Sequence, residues 1–348
     1  MRIAVLVGAG VVAAACGGAM GQVFQGAWEQ PLLDRWMYPF ASAPGTETSA
    51  PVYAALGQVG FDDRDAQFLI GFGTGGQVPA GAGELRYRVR SARVRVVVSN
   101  DLRFVYDPSF DAVATSYADT DPEYVADADA GKPVELFAVG YRNGQSAETF
   151  QETTAYSTVP SFPPQEGTRS AFAAVVDEAG VATDVSRQVR LRFEASPMAV
   201  GVTTTVMPGE LVPAGTEVVF EVDTSSAAVR NYLSRGLNAG KVMLMVSSLH
   251  PASGGPGGGG GVVYPAFYTK ENALSPVLGY SPTLELEVEV HPYVDFDLDG
   301  DVGTDADIEA FFRSLAGVGG NADFNMDDDI GTDADIESFF CALAGGSC

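Results

Sequence analysis

Two kinds of hydrophobic periodicity divide the chain. Over residues 22–292, apolar residues either alternate with polar ones or form short runs rich in Val, Phe and Tyr, which is typical of β-strands. The clearest alternations are 84–90 and 284–290, and further strand-like runs are 67–72, 92–99, 189–193, 217–222 and 241–247. Strict alternation predicts one buried and one solvated face, so we expect antiparallel sheets packed face to face.

Helical periodicity is rare in this part of the chain. Residues 227–237 form its only convincing helical pattern. A β-region running from 22 to 292 is large, so one jelly-roll-like β-sandwich and two smaller subdomains both remain open.

The C-terminal part carries a helical pattern twice. Residues 302–312 and 330–340 are identical at nine of eleven positions, with an offset of 28 residues. Apolar side chains in each copy follow the i, i+3, i+4, i+7 spacing of one helix face: Ile308, Phe311, Phe312 and Leu315, then Ile336, Phe339, Phe340 and Leu343. Thr304 and Thr332 are suitable N-caps. We expect two short helices that bury this face against each other with approximate two-fold symmetry.

A loop with regularly spaced oxygen donors precedes each predicted helix. Side-chain oxygens stand at loop positions 1, 3 and 5: Asp295, Asp297 and Asp299 in the first copy, and Asp323, Asn325 and Asp327 in the second. Donors at alternate positions of a short loop converge on one point, as Ca²⁺ requires. Position 7 (Asp301, Asp329) would offer its backbone carbonyl.

The last ligand of each loop has two candidate positions. Position 12, where a bidentate carboxylate usually stands, is Ala306 or Ala334. Acids flank it at positions 11 and 13, which leaves two alternatives per loop: Asp305 or Asp307, and Asp333 or Asp335. Alignment on the helices favours Asp307 and Asp335.

Two such loop-helix units resemble a dockerin, in a variant with one extra loop residue. The resemblance implies a small all-α module over 293–348, with two Ca²⁺ sites. It also implies attachment to a cohesin-like receptor or cell-surface scaffold. The alternative is an acidic tail that binds no metal.

Charge is concentrated in the same region. The chain has a formal net charge of −25, and residues 295–348 hold 14 acidic residues against one basic residue, a net charge of −13. Nucleic acids and anionic membranes are bound by clustered Lys and Arg, so this composition argues against both as partners.

The N-terminus predicts export. Residues 1–21 read as a secretory signal peptide cleaved after Gly21, with an apolar run too short to span a bilayer. Lipoprotein processing at Cys16 is the alternative. Removal of the signal leaves Cys341 and Cys348, an even count in an oxidising compartment, so we expect a disulfide between them.

Several patches of the β-region resemble the DNRLRE-type β-sandwich family, some members of which bind carbohydrate. These patches are residues 36–40, 61–72, 78–81, 90–98, 228–233, 240–248, 268–271 and 282–290. Residues from about 101 to 196 do not fit and read as an insertion. The resemblance implies polysaccharide as a partner, with Trp28, Trp36, Tyr38, Tyr53 and Tyr268 as candidate stacking rings.

The sequence contains few combinations of residues that could form a catalytic site. The two histidines, His250 and His291, are each followed by proline and form no cluster with cysteine. The turn at 62–65 carries three aspartates around Arg64, which predicts either a salt-bridged turn or a structural Ca²⁺ site. These aspartates and Glu271 are also candidates for a glycosidase carboxylate pair. We therefore expect a secreted, non-catalytic protein for anchored carbohydrate binding or adhesion. The alternatives are a structural surface component and a polysaccharide-degrading enzyme.

Overall fold

The computed structural model is mostly β with antiparallel sheets. The residues it describes are 22–41, 43–159, 165–255, 259–290, 294–297, 299–318, 322, 324 and 330–344. The chain forms two compact units, with the division between Val290 and His291. No helix among the described residues is long and apolar enough to cross a membrane.

The elements of the larger unit follow one another mainly as strands. Its strands are β1 (Gln22–Trp28), β2 (Leu33–Met37), β3 (Ser49–Pro51), β4 (Gln67–Gly73), β5 (Tyr87–Val97), β6 (Val134–Tyr141), β7 (Ala171–Val176), β8 (Ala182–Asp184), β9 (Ala199–Val200), β10 (Glu217–Glu221), β11 (Lys241–Ser248), β12 (Ala266–Tyr268) and β13 (Thr283–Val290). Its helices are α1 (Gln188–Leu191), α2 (Ala227–Asn238) and α3 (Ser275–Leu278). The smaller unit holds α4 (Asp305–Leu315) and α5 (Asp333–Leu343).

Three sheets organise the larger unit. A four-stranded sheet has the order β1-β13-β5-β10, and a seven-stranded sheet has the order β2-β4-β11-β6-β7-β8, with β9 beside β6. β12 and β3 form a small third sheet. One cluster of buried side chains includes Val94 and Leu286 from the first sheet together with Phe68, Leu136 and Leu244 from the second. The two large sheets therefore share one hydrophobic core.

The seven-stranded sheet is buried on both faces. Its residues alternate between the shared core (Ile70, Leu244) and a second cluster on the opposite face (Leu69, Phe137, Met243). That second face is covered by Phe150, Val185 and Ala195, which belong to the segment predicted as an insertion. Double burial explains why β4, β6 and β11 are buried along almost their whole length and mainly apolar, whereas β5 and β13 alternate.

The outward face of β5 is a ladder of ion pairs. Arg93 lies between Glu221 of β10 and Glu285 of β13, at 3.0 and 3.5 Å, and Arg90 contacts Glu289 at 2.8 Å. Opposite charges on adjacent strands stabilise a solvated sheet face modestly. The arginines on the solvated face of β5 are therefore neutralised by glutamates of the neighbouring strands.

Two strand predictions are wrong in detail. Residues 84–86 form a 3₁₀ turn before β5, and the predicted strands 84–90 and 92–99 merge into one. Residues 189–193, predicted as a strand, lie mostly in α1. The Asp63 carboxylate accepts from the Arg190 backbone N–H at 2.9 Å and from Arg190 Nε at 2.8 Å, so it stabilises a helical turn that the alternating pattern does not favour.

Candidate functional site

Three carboxylates converge in the first acidic loop. One carboxylate oxygen from each of Asp295, Asp297 and Asp299 lies within 4.8 Å of the others. Ca²⁺ holds its ligands at about 2.3–2.6 Å, so two ligands on opposite sides of one ion are separated by about this distance. Local desolvation and the neighbouring carboxylates raise the pKa of Asp297, although its side chain is exposed. The loop therefore concentrates negative charge at the predicted metal position.

Asp307 plays a different part in the same loop. The backbone N–H groups of Phe296 and Asp297 donate to Asp307 Oδ1 at 2.6 and 3.2 Å, and Thr304 donates to Oδ2 through its N–H at 2.7 Å and its hydroxyl at 3.1 Å. The Asp307 N–H in turn donates to Thr304 Oγ1, which completes a capping box. A carboxylate has about four lone-pair sites, so these donors use its capacity. These contacts give Asp307 a part in loop closure and capping, and its assignment as the last Ca²⁺ ligand stays a prediction.

The second copy repeats this arrangement. The Phe324 N–H donates to Asp335 Oδ1 at 2.6 Å, and the Thr332 N–H donates to Oδ2 at 2.8 Å. Cys341 is disulfide-bonded. The remaining predicted residues of this copy lie outside the described residues: Asp323, Asn325, Asp327, Asp329 and Cys348. Asp301, in the first loop, is exposed and donates its N–H to Asp299 Oδ1 at 2.8 Å.

Stacked phenylalanines join the two helices. Phe311 and Phe339 are fully buried, and their rings stack with centroids 4.1 Å apart. Phe296 and Phe324, at position 2 of each loop, pack edge-on against this pair. Phe296 and Phe324 stand at matching positions of the two copies. This repetition marks them as core residues, although they lie outside the helical pattern. Each loop also approaches the other copy's helix, because a Cβ on Gly303 would lie 3.2 Å from Leu343, and one on Gly331 would lie 3.3 Å from Leu315.

The predicted apolar face is only partly buried. Phe312 and Phe340 are each 44% exposed, with ring centroids 6.2 Å apart. They occupy equivalent positions in the two copies and form an exposed aromatic pair beside the buried one.

In the larger unit, the turn at 62–65 is held by ion pairs. Asp62 accepts from Arg169 Nη2 at 2.8 Å, Asp63 accepts from Arg190 Nε at 2.8 Å, and Arg64 contacts Glu135 at 2.6 Å. Both partners of the first and third pairs are buried, so each charge depends on its neighbour. Of the two predictions for this turn, the contacts support the salt-bridged one. Burial raises the pKa of Asp65 to about 7.

The structure contains a second group of three carboxylates. Only one of its members, Glu271, was a candidate from the sequence. Oxygens of Asp34, Glu152 and Glu271 lie within 4.8 Å of one another. The Lys270 ammonium contacts all three, at 3.5 Å for Asp34 and 3.0 Å for Glu271. Burial, with the adjacent Glu271, raises the pKa of Asp34 to about 7. The lysine supplies the positive charge at the centre of this group.

Aromatic side chains form a continuous, partly exposed array. Trp36 and Tyr38 stack at 4.4 Å, Tyr38 meets Tyr53 at 5.8 Å, and Tyr53 meets Tyr264 at 4.5 Å. Phe40 continues the array beside Tyr38 and is 42% exposed.

Two further stacking candidates lie elsewhere. Trp28, predicted to be an exposed ring, is instead buried in the shared core, because β1 is part of the four-stranded sheet. Tyr268 stacks on Tyr280 at 4.9 Å.

His250 is a buried core residue. It is 4% exposed, its Nδ1 lies 2.7 Å from Ser248 Oγ, and burial lowers its pKa to about 3. Ser248 Oγ also donates to the Pro133 carbonyl at 2.7 Å, so the hydroxyl is engaged with the backbone.

No protein-family model matches this chain, and no curated protein matches it.

Proposed function

We propose that this is a secreted, non-catalytic protein that is anchored through a calcium-dependent, dockerin-like module at its C-terminus. The observation that carries the proposal is the convergence of Asp295, Asp297 and Asp299 at the start of a capped helix. Support comes from the reciprocal packing of the two loop-helix copies around Phe311 and Phe339. In the larger unit, two sheets with one core support a β-sandwich.

The mechanism follows from the charge of the loops. Without a cation, three carboxylates within 4.8 Å repel one another and oppose loop closure. Ca²⁺ offsets this repulsion, so its binding free energy contributes to folding of the helical pair. The folded pair then presents its outer surface to a cohesin-like receptor or cell-surface scaffold.

Calcium titration of the full chain tests this role. Ca²⁺ is expected to bind the C-terminal unit and stabilise it; at 100 times the Kd, one site adds about 2.7 kcal/mol to the free energy of unfolding. The double variant Asp297→Asn, Asp299→Asn should lose one bound equivalent and this stabilisation. Glu309→Gln is the control, because Glu309 is exposed and pairs only with Arg313 among the described residues. Unchanged binding in the double variant would contradict the calcium assignment.

Anchoring is tested on the producing cells. Chelation by EDTA should release the wild-type protein from the cell surface, and excess Ca²⁺ should restore its attachment. The double variant should remain in the medium, whereas Glu309→Gln should attach normally. If the protein stays attached in EDTA, its anchoring does not depend on calcium.

For the larger unit, carbohydrate binding is supported by the aromatic array at Trp36, Tyr38 and Phe40. Sugar rings stack their C–H faces on partly exposed aromatic rings. A cavity of about 730 Å³ provides a second candidate position, with a size in the usual range for ligand pockets. Its cationic side chains Lys132, Arg190 and Arg192 are each paired with carboxylates, which suits a neutral ligand.

Polysaccharide affinity electrophoresis separates the three readings of this unit. The variant Phe40→Ala should weaken retardation by polysaccharide, while Leu32→Ala, which removes a 62% exposed side chain outside the array, should not. No retardation of the wild type would favour a structural surface component. Release of reducing or unsaturated sugar products would show a polysaccharide-degrading enzyme instead.

A further inference from the structure

Acidic side chains from two separate loops meet in the larger unit. One carboxylate oxygen from each of Asp107, Asp111 and Asp129 lies within 4.8 Å of the others. Asp107 and Asp111 precede a 3₁₀ turn at Val113–Ser116, and Asp129 lies in the loop that leads into β6. This separation distinguishes the group from the C-terminal repeat, where the acids are two residues apart.

Asp107 is the anchor of this group. It is only 4% exposed, and its Oδ1 accepts from the Ser109 N–H at 2.8 Å and from Ser109 Oγ at 2.6 Å. Its Oδ2 is buried and accepts no hydrogen bond. A buried carboxylate oxygen without a donor is costly and calls for a further partner, which a cation would supply.

The ammonium beside the group is shared between one of its members and a neighbouring acid. Lys132 Nζ lies 2.7 Å from Asp111 Oδ2 and 2.6 Å from Asp127 Oδ2. Among the described residues, no Lys, Arg or His nitrogen lies within 4.0 Å of the carboxylates of Asp107 and Asp129. Four carboxylates against one ammonium leave an excess of three negative charges when all are ionised.

The backbone is shaped to hold the loops together. Gly131 has a φ of 112°, and a Cβ there would lie 3.0 Å from the Val105 carbonyl oxygen and 3.1 Å from the Asp107 Cβ. Any other residue would therefore force the 127–131 loop away from Asp107. This approach keeps Asp129 beside Asp107, and Ser109 Oγ lies between them, 2.6 Å from Asp107 Oδ1 and 3.2 Å from Asp129 Oδ2.

We propose that Asp107, Asp111 and Asp129 form a Ca²⁺ site in the larger unit. Carboxylates are hard ligands, and Ca²⁺ tolerates the irregular geometry of acids from two loops better than Mg²⁺ does. Asp107 supplies its buried Oδ2, while the exposed Asp129 gives the ion a route from solvent. The ion ties the 107–111 segment to the 127–131 loop. It thereby stabilises one wall of the 730 Å³ cavity, which Thr115 and Lys132 line.

The test is a calorimetric Ca²⁺ titration of the full chain, with variants at this site. Asp107→Asn and Asp129→Asn should each lose one molar equivalent of bound Ca²⁺. Asp119→Asn, an exposed acid of the same segment, should keep the wild-type stoichiometry. Asp129 is exposed, so its variant keeps the test valid if Asp107→Asn fails to fold. Wild-type stoichiometry in Asp129→Asn would overturn the proposal.

Variants of the C-terminal loop make this test independent of the anchoring function. In the double variant Asp297→Asn, Asp299→Asn, the site at Asp107 should still bind, and Ca²⁺ should still raise the unfolding midpoint of the larger unit. That rise should disappear when Asp129→Asn is added. A midpoint of the larger unit that does not respond to Ca²⁺ in the double variant would refute the site and leave the C-terminal assignment untouched.

Discussion

Replacing Phe311 by alanine is expected to unfold the C-terminal helical pair. Phe311 is fully buried and stacks on Phe339 with centroids 4.1 Å apart. A buried Phe→Ala change costs about 3–5 kcal/mol. Loss of a stacked ring adds roughly 0.5–1.5 kcal/mol, so we expect a total of about 3.5–6.5 kcal/mol. A unit of this size rarely gains more than about 3–5 kcal/mol from its core, so the substitution should remove most of its stability.

Phe312 provides a matched control on the same helix. It is 44% exposed, so alanine there should remove about half the burial and cost about 1–2 kcal/mol. Both substitutions delete the same ring and change helix propensity equally, which isolates the effect of burial. Thermal unfolding in saturating Ca²⁺, followed by far-ultraviolet circular dichroism, measures both losses. Equal losses in the two variants would refute the packing described for Phe311.

Three further predictions concern buried carboxylates. Asp307→Ala should lower the free energy of unfolding of the C-terminal unit by about 3 kcal/mol in EDTA as well as in Ca²⁺, because its hydrogen bonds close the loop without metal; a loss seen only in Ca²⁺ would make it a ligand. Arg169→Met should cost about 3–5 kcal/mol in urea unfolding, since it leaves Asp62 buried and unpaired, whereas Arg93→Met at the exposed ladder should cost under about 1 kcal/mol. Burial raises the pKa of Asp34 from 3.8 to about 7, so the contribution of this group to stability is fully present below about pH 4 and is lost as the pH rises to about 7. Over this window, the free energy of unfolding of the wild type should fall by up to about 4 kcal/mol relative to that of Asp34→Asn. Parallel curves of stability against pH for the two proteins would contradict the shift.

Local periodicity located most of the regular elements. Strand-like runs at 67–72, 217–222 and 241–247 correspond to β4, β10 and β11, and the pattern at 227–237 corresponds to α2. The side-chain period of a strand or helix depends only on local backbone geometry, so it can be recognised in a single segment. The run at 189–193 was misjudged because its helical turn is held by Asp63, more than a hundred residues earlier.

The boundaries of the segments, and the residues that cover each sheet face, could be determined only from the folded chain. The segment from about 101 to 196 reads as an insertion because it does not fit the family resemblance of the β-region, yet β6 lies inside the seven-stranded sheet. Phe150 and Val185 cover the second face of that sheet. Continuous apolar strands indicate burial on both faces, but the residues that provide the cover cannot be read from the strands themselves.

Whether a candidate site could be predicted depended on how far apart its residues lie in the sequence. Asp295, Asp297 and Asp299 converge because alternate residues of one short loop point to a common centre, which spacing alone predicts. The group of Asp34, Glu152 and Glu271 joins residues more than a hundred positions apart, so only the path of the chain through the core brings them together. The sequence by itself therefore determined the elements, the duplicated loops and the placement of charge. The tertiary structure decided which charges are buried and paired, because burial and pairing depend on contacts between distant segments.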